Sequence, residues 1–325
     1  MLIFALLLGC SGCVSCQPSI PLDDNSENEQ DQNNGEDSAA SDSGSDTAAD
    51  TGPPPPCPVM ELEPNGSYDV SQPVSMEQWV CGAFEATDDA AADLDVYSFT
   101  FPEEGWLKGW VRGQGVGSSA DLMLTFKVGS ETGLSTFHLQ STDPLLVVPV
   151  GGEELVYAAV QEQFNNFGEN QFYEALFSQV KAPVEYNAVE DESETDNNGM
   201  ARGTPVGDGD RIMGVISSNF DRDWFVLDLP EGKSTIELNF DANTYGSPVD
   251  LIVYLYPPET LDDPETSYVK VRNTGSNANS YDPRLTYTVQ EGGTWGILVK
   301  SFTDTGSDLY WYVMDVSVEE EESEE

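Results

Sequence analysis

Phe220-Asp221-Arg222-Asp223-Trp224-Phe225-Val226-Leu227-Asp228-Leu229 decides the fold. Two carboxylates on alternate residues lead into apolar residues that also alternate, which is the period of a β-strand. Asp93-Leu94-Asp95-Val96-Tyr97-Ser98-Phe99-Thr100-Phe101 does the same thing 128 residues earlier. Strand geometry puts Tyr97, Phe99 and Phe101 on one face, and Phe225, Leu227 and Leu229 on another. One pattern occurring twice in one register predicts two copies of one domain.

Outward from these stretches the landmarks also come in pairs. Val80-Cys81-Gly82 answers Ile212-Met213-Gly214, and Ala120-Asp121-Leu122-Met123-Leu124 answers Val249-Asp250-Leu251-Ile252-Val253. Asp143-Pro144 answers Asp282-Pro283, and Gly151-Gly152 answers Gly292-Gly293. Each copy holds eight short strand-like runs punctuated by Gly, Pro, Asn and Asp, and no long segment has a helical period. The reading is all-β, with two tandem antiparallel sandwiches at 57–181 and 182–318 and an acidic tail at 319–325.

The chain has 12 Lys and Arg against 59 Asp and Glu, a formal charge of −47. Phosphate recognition needs the opposite sign, so no nucleic-acid partner is expected. Leu7-Leu8-Gly9-Cys10 closes a short apolar start and resembles a bacterial lipobox. That resemblance implies a lipoprotein signal peptide at 1–10, a lipidated Cys10 and attachment to a membrane. Ser11 after the cysteine implies the outer membrane or cell surface. Cys10, Cys13 and Cys16 have a C-x2-C-x2-C spacing, but no fourth metal ligand is near them. Residues 11–56, rich in Asp, Asn, Ser and Gly and ending in Pro53-Pro54-Pro55-Pro56, form a disordered tether. Export favours oxidation, so Cys57 and Cys81, which flank the start of the first unit, are expected to pair.

Both units resemble the bacterial pre-peptidase C-terminal domain, which is related to the collagen-binding domains of clostridial collagenases. In the first unit the resemblance rests on Glu61-Leu62-Glu63-Pro64-Asn65, Gly82, Asp93 with Asp95, and Asp121-Leu122-Met123-Leu124. In the second it rests on Glu192, Glu194, Asp196 and Asn197, then Gly214, Asp221 with Asp223, and Asp250-Leu251-Ile252-Val253. It implies a jelly-roll-like sandwich and a role beside secreted peptidases, although no peptidase domain is evident. Calcium wants six to eight oxygens, several of them from carboxylates. Glu61, Glu63, Asn65, Asp93 and Asp95 are the expected ligands in the first unit, and Glu192, Glu194, Asp196, Asn197, Asp221 and Asp223 in the second. Some relatives in that family bind calcium with corresponding acidic segments. The first unit has the greater need of a cation, because no Lys or Arg precedes Lys108.

Catalysis is not expected. The single histidine, His138, lies in an alternating run, and no G-x-S-x-G elbow accompanies it. Asp304-Thr305-Gly306 resembles an aspartic-protease loop, but such enzymes need two carboxylates, and the matching turn of the first unit has none. Two functions remain. One is a non-enzymatic surface lipoprotein whose sandwiches bind protein or polysaccharide, with Trp106, Trp110, Tyr310, Trp311 and Tyr312 as contact candidates. The other is an accessory subunit of a secreted peptidase or other hydrolase carried on a separate chain.

Overall fold

The computed structural model describes residues 57–85, 93–133, 142–190, 199, 202–258, 269–272 and 281–320, with the backbone alone at 134–135. Cys10, Cys13, Cys16, His138, Glu192, Glu194, Asp196 and Asn197 lie outside the described residues, as do the tether and residues 321–325.

The first unit runs β1 (Val59–Met60), β2 (Gln72–Pro73), β3 (Trp79–Ala83), β4 (Leu94–Thr100) and β5 (Gly105–Arg112). It continues through β6 (Leu122–Val128), β7 (Glu131–Ser135), β8 (Leu145–Val150), β9 (Leu155–Glu162) and β10 (Phe172–Val180). Two five-stranded sheets result, in the orders β1-β3-β10-β5-β8 and β2-β4-β9-β6-β7. The second unit repeats them with β11 (Ala188–Val189), β12 (Thr204–Val206), β13 (Arg211–Val215), β14 (Asp223–Leu229) and β15 (Ser234–Asp241). β16 (Leu251–Tyr256), β17 (Val269–Val271), β18 (Arg284–Val289), β19 (Gly293–Ser301) and β20 (Trp311–Glu320) complete it. Its sheets are β11-β13-β20-β15-β18 and β12-β14-β19-β16-β17, the same order strand for strand.

The register repeats as well. Asp95 pairs with Val160 and Asp223 with Val299, so each Asp lies at the start of the equivalent strand, second in β4 and first in β14, opposite a valine. Tyr97, Phe99 and Phe101 are buried in the first core, and Phe225, Leu227 and Leu229 in the second. The sheets are antiparallel except at one edge of each, where β1, β2, β11 and β12 add as short parallel strands. These edge strands are too brief to show a period. The paired Asp-Pro landmarks have a structural role. Asp143 accepts the backbone N–H groups of Gly113, Gln114 and Gly115, and Asp282 those of Ala242, Asn243 and Thr244. Each carboxylate thus closes a tight turn whose last residue, Gly117 or Gly246, has φ of 91° or 95°.

The two sandwiches touch through a small apolar cluster built on Val147, Val184, Trp311 and Val313. Trp311 Nε1 donates to the Val147 carbonyl at 2.7 Å, and the Val147 amide donates to the Gly246 carbonyl at 2.7 Å. Two of the expected contact aromatics are therefore not on an open face. Trp311 is buried at this junction, and Tyr312 points the other way into the second core. The first four residues of β20 are covered on both sides, which a strand-by-strand reading does not reveal.

Candidate functional site

β1 leads into Glu61-Leu62-Glu63-Pro64-Asn65, and the Cys57–Cys81 disulfide, with Cα atoms 6.0 Å apart, ties that segment to β3. The Glu61 amide continues the parallel pairing by donating to the Cys81 carbonyl at 2.8 Å. Glu61 then folds back over β3, where its Oε2 accepts the Ala83 amide at 2.9 Å and its Oε1 accepts Asn65 Nδ2 at 3.1 Å. Glu63 accepts the Asn65 amide at 3.0 Å. From the other sheet β4 supplies Asp95, fully buried on the same face as Tyr97. Tyr173 on β10 donates its hydroxyl hydrogen to Asp95 Oδ2 at 2.7 Å, and Tyr97 shares a 2.5 Å hydrogen bond with Tyr173.

One oxygen each from Glu61, Glu63 and Asp95 lies within 4.8 Å of the others. Asp95 Oδ1 and Asn65 Oδ1 are buried without a hydrogen-bond partner. Burial, and then contact with the Glu61 carboxylate, pushes the Asp95 carboxyl up to about 10. Burial likewise raises Glu63 and Asp93, reinforced in both by the charge of Glu61. Two unit charges at such a separation repel by roughly 3.5 kcal/mol at an effective dielectric constant of 20. The cluster cannot remain fully ionised at neutral pH without a cation. It must otherwise hold a proton.

A hard cation fits this donor set. The oxygens are carboxylate and amide, and two of them are buried with nothing to bond. Of the five residues expected here, four sit together, because Asn65 bridges Glu61 and Glu63. Asp93 is placed differently. It accepts the Glu85 amide at 2.6 Å and adds its charge to the cluster without joining the convergent trio.

The second unit keeps part of this arrangement. Tyr312 donates to Asp223 Oδ2 at 2.7 Å, and Asp223 is fully buried. Asp221, expected as its fellow ligand, is instead taken up by a turn. It accepts the Ser217 amide and hydroxyl at 2.7 and 2.8 Å and the Arg222 amide at 2.9 Å. Glu190 donates its amide to the Met213 carbonyl at 2.8 Å, as Glu61 does to Cys81, so Glu190 occupies the position that corresponds to Glu61, while the expected Glu192 lies outside the described residues. Glu190 is buried, and matching on charge spacing does not find it. The usable signal is the apolar pair before it, Ala188-Val189, which answers Val59-Met60.

Gly82 and Gly214 have one physical reason in common. A Cβ at either would lie 2.4 Å from the ring or hydroxyl of Tyr173 or Tyr312, the residues that hold Asp95 and Asp223. Asp304, in the protease-like turn, is engaged by Lys300 and Arg222, which hold its carboxyl below the usual range. A lone carboxylate kept ionised in this way is a poor proton donor.

The fold and site together define a tandem β-sandwich protein with a buried acidic centre in its first sandwich. No protein-family model matches the chain, and no curated protein matches it. Among solved structures it is similar to the pre-peptidase C-terminal domain of a Bacillus anthracis collagenase, at 13% identity over 36% of this chain and 95% of that one, TM-score 0.26. It is also similar to the tandem CBM51 modules of a family 98 glycoside hydrolase from Streptococcus pneumoniae, at 10% identity over 74% and 88% of the two chains, TM-score 0.22. A third is the N-terminal tandem CBM22 domain of a Paenibacillus barcinonensis protein, at 13% identity over 69% and 82%, TM-score 0.22. These likenesses stop at the fold.

Proposed function

We propose that this chain is a non-catalytic binding protein of the cell surface. It is anchored through a lipidated Cys10 and reaches outward on its acidic tether to present two β-sandwiches to a protein or polysaccharide. The first sandwich is completed by calcium held by Glu61, Glu63, Asp95 and Asn65. The observation that carries the calcium reading is Asp95, fully buried, with one oxygen on Tyr173 and the other without a partner beside two more carboxylates. A bound calcium would neutralise this centre and clamp the opening segment against β3 and β4.

The experiment is a pull-down of the intact protein from its own cell surface with and without calcium, paired with calorimetry of calcium binding. Calcium-dependent capture of a ligand supports the whole reading. No heat of binding, together with a melting temperature in EDTA that calcium does not change, overturns the calcium centre. Cys10→Ser should release the protein from the membrane fraction, and an unchanged fraction removes the anchor.

A further inference from the structure

Between the two sandwiches lies a cleft of about 580 Å3, lined from both sides. Its walls carry two aromatic rings, Trp106 from β5 and Tyr186 from the segment joining the sandwiches. Tyr186 is 39% exposed. Trp106 packs edge-on against Trp311 at 5.1 Å, and Trp311 is pinned by its bond to Val147, so this wall is in place before any ligand arrives. Glu104, Glu131, Glu154 and Asp308 also line the cleft, and among the described residues no Lys, Arg or His does. None of the four makes an ion pair among the described residues.

We propose that this cleft receives the Arg or Lys side chains of a basic segment of a partner protein. A cleft lined by one sign of charge focuses the field of the whole molecule, here of formal charge −47. Aromatic faces attract guanidinium and ammonium groups. A metal ion is the weaker candidate, because the only carboxylate trio converging within 4.8 Å among the described residues is Glu61, Glu63 and Asp95. The four acids of the cleft surround it without converging, which suits a cation extended along a chain. The volume accommodates a few side chains and excludes a folded domain.

The test is calorimetric titration of the full-length protein with hexa-arginine at low and moderate salt, with calcium and with EDTA. Trp106→Ala leaves the net charge unchanged and should weaken binding about tenfold, the equivalent of ~1.4 kcal/mol. Tyr186→Ala should also weaken it, and its exposure keeps the test readable should Trp106→Ala loosen the junction. Glu104→Gln with Asp308→Asn should weaken binding and flatten its salt dependence. Glu169→Gln with Glu237→Gln removes the same charge from exposed positions outside the cleft and should change little. Equal loss in both charge pairs, or no loss in either aromatic variant, reduces the effect to general attraction by an acidic surface and overturns the proposal. A chitosan oligomer that binds more tightly than hexa-arginine reassigns the cleft to an amino sugar and overturns it too. The cleft shares no residue with the acidic centre, so binding should persist in EDTA whether or not the calcium reading holds. Binding that requires calcium overturns the cleft as an independent site.

Discussion

Tyr173 holds Asp95 by a 2.7 Å hydrogen bond from a strand 78 residues away, and it does so with both side chains shut off from water. The bond fixes one carboxylate oxygen and leaves the other facing Glu61 and Glu63. Tyr312 and Asp223 repeat the bond in the second sandwich. The acidic centre is thus assembled by long-range packing, and its behaviour follows from the cost of burying charge.

The first prediction is proton-linked calcium binding. Burial raises Glu63 and Asp93, and with Glu61 takes Asp95 to about 10. Without metal, the folded state therefore keeps protons that the unfolded chain loses near pH 4. That stability is fully present below the unfolded value and is lost as pH rises through the folded values. In EDTA, the melting temperature of the wild type should fall more steeply between pH 5 and pH 9 than that of Asp95→Asn. Calcium selects the ionised form, so its stabilisation should grow with pH and binding near pH 7 should release about one proton. Calorimetry in buffers of different ionisation heat measures the release. A value of zero would show that Asp95 is already ionised without the metal.

The second prediction concerns the tyrosine that holds the site. Tyr173→Phe removes the donor and leaves both Asp95 oxygens buried without it, at a cost of about 1–3 kcal/mol. It should weaken calcium binding while leaving the second sandwich unaffected. Gly82→Ala should do similar damage by a different route, since its Cβ would sit 2.4 Å from the Tyr173 ring. Melting and calcium titration of the two variants check this. Wild-type calcium affinity in the Gly82→Ala variant would mean that Tyr173 can move without consequence.

The third prediction concerns the disulfide. Cys57 and Cys81 are 24 residues apart, and closing a loop of that order stabilises by about 3 kcal/mol. Replacing both by Ser should cost about that much. It should also lower calcium affinity, because the bond pins the strand that delivers Glu61. Denaturant unfolding with and without calcium separates the two effects. Loss of stability with unchanged affinity would show that the β1–β3 pairing alone positions Glu61.

How far the sequence can be read depends on the range of the interactions. The strands at Asp95 and Asp223 are legible because alternation is local and both copies carry it. The convergence of Glu61, Glu63 and Asn65 with Asp95 is legible because each segment carries its own acidic signature. Tyr173 and Tyr312 do not connect to the site by sequence, since nothing near them marks a carboxylate partner. Glu190 escapes because the stretch from Asp191 to Asn197 is so acidic that charge spacing gives no unique alignment. Tyr312 lies in the second core, and Trp311 reads as open surface because a strand's pattern does not say what covers its outer face. The first sandwich covers it here.

The last prediction concerns that cover. Trp311 Nε1 donates to the Val147 carbonyl, and Ser247 Oγ donates to the Trp311 carbonyl at 2.5 Å. Gly246 approaches Val147 so closely that a Cβ there would lie 2.9 Å from the Val147 nitrogen. Beside them Leu309 enters the first core and Tyr310 packs against both cores, so the coupling is apolar as well as hydrogen-bonded. Trp311→Phe keeps an aromatic ring but removes the N–H, leaving the Val147 carbonyl short of a donor at a cost of about 1–2 kcal/mol. Trp311→Ala also empties the space beneath Trp106 and should cost about 3–5 kcal/mol. In scanning calorimetry the wild type should melt in one coupled transition, and Trp311→Ala should resolve into two. Calcium should then shift the transition of the first sandwich more than that of the second. A wild type that already melts as two independent units would show that the junction carries no coupling.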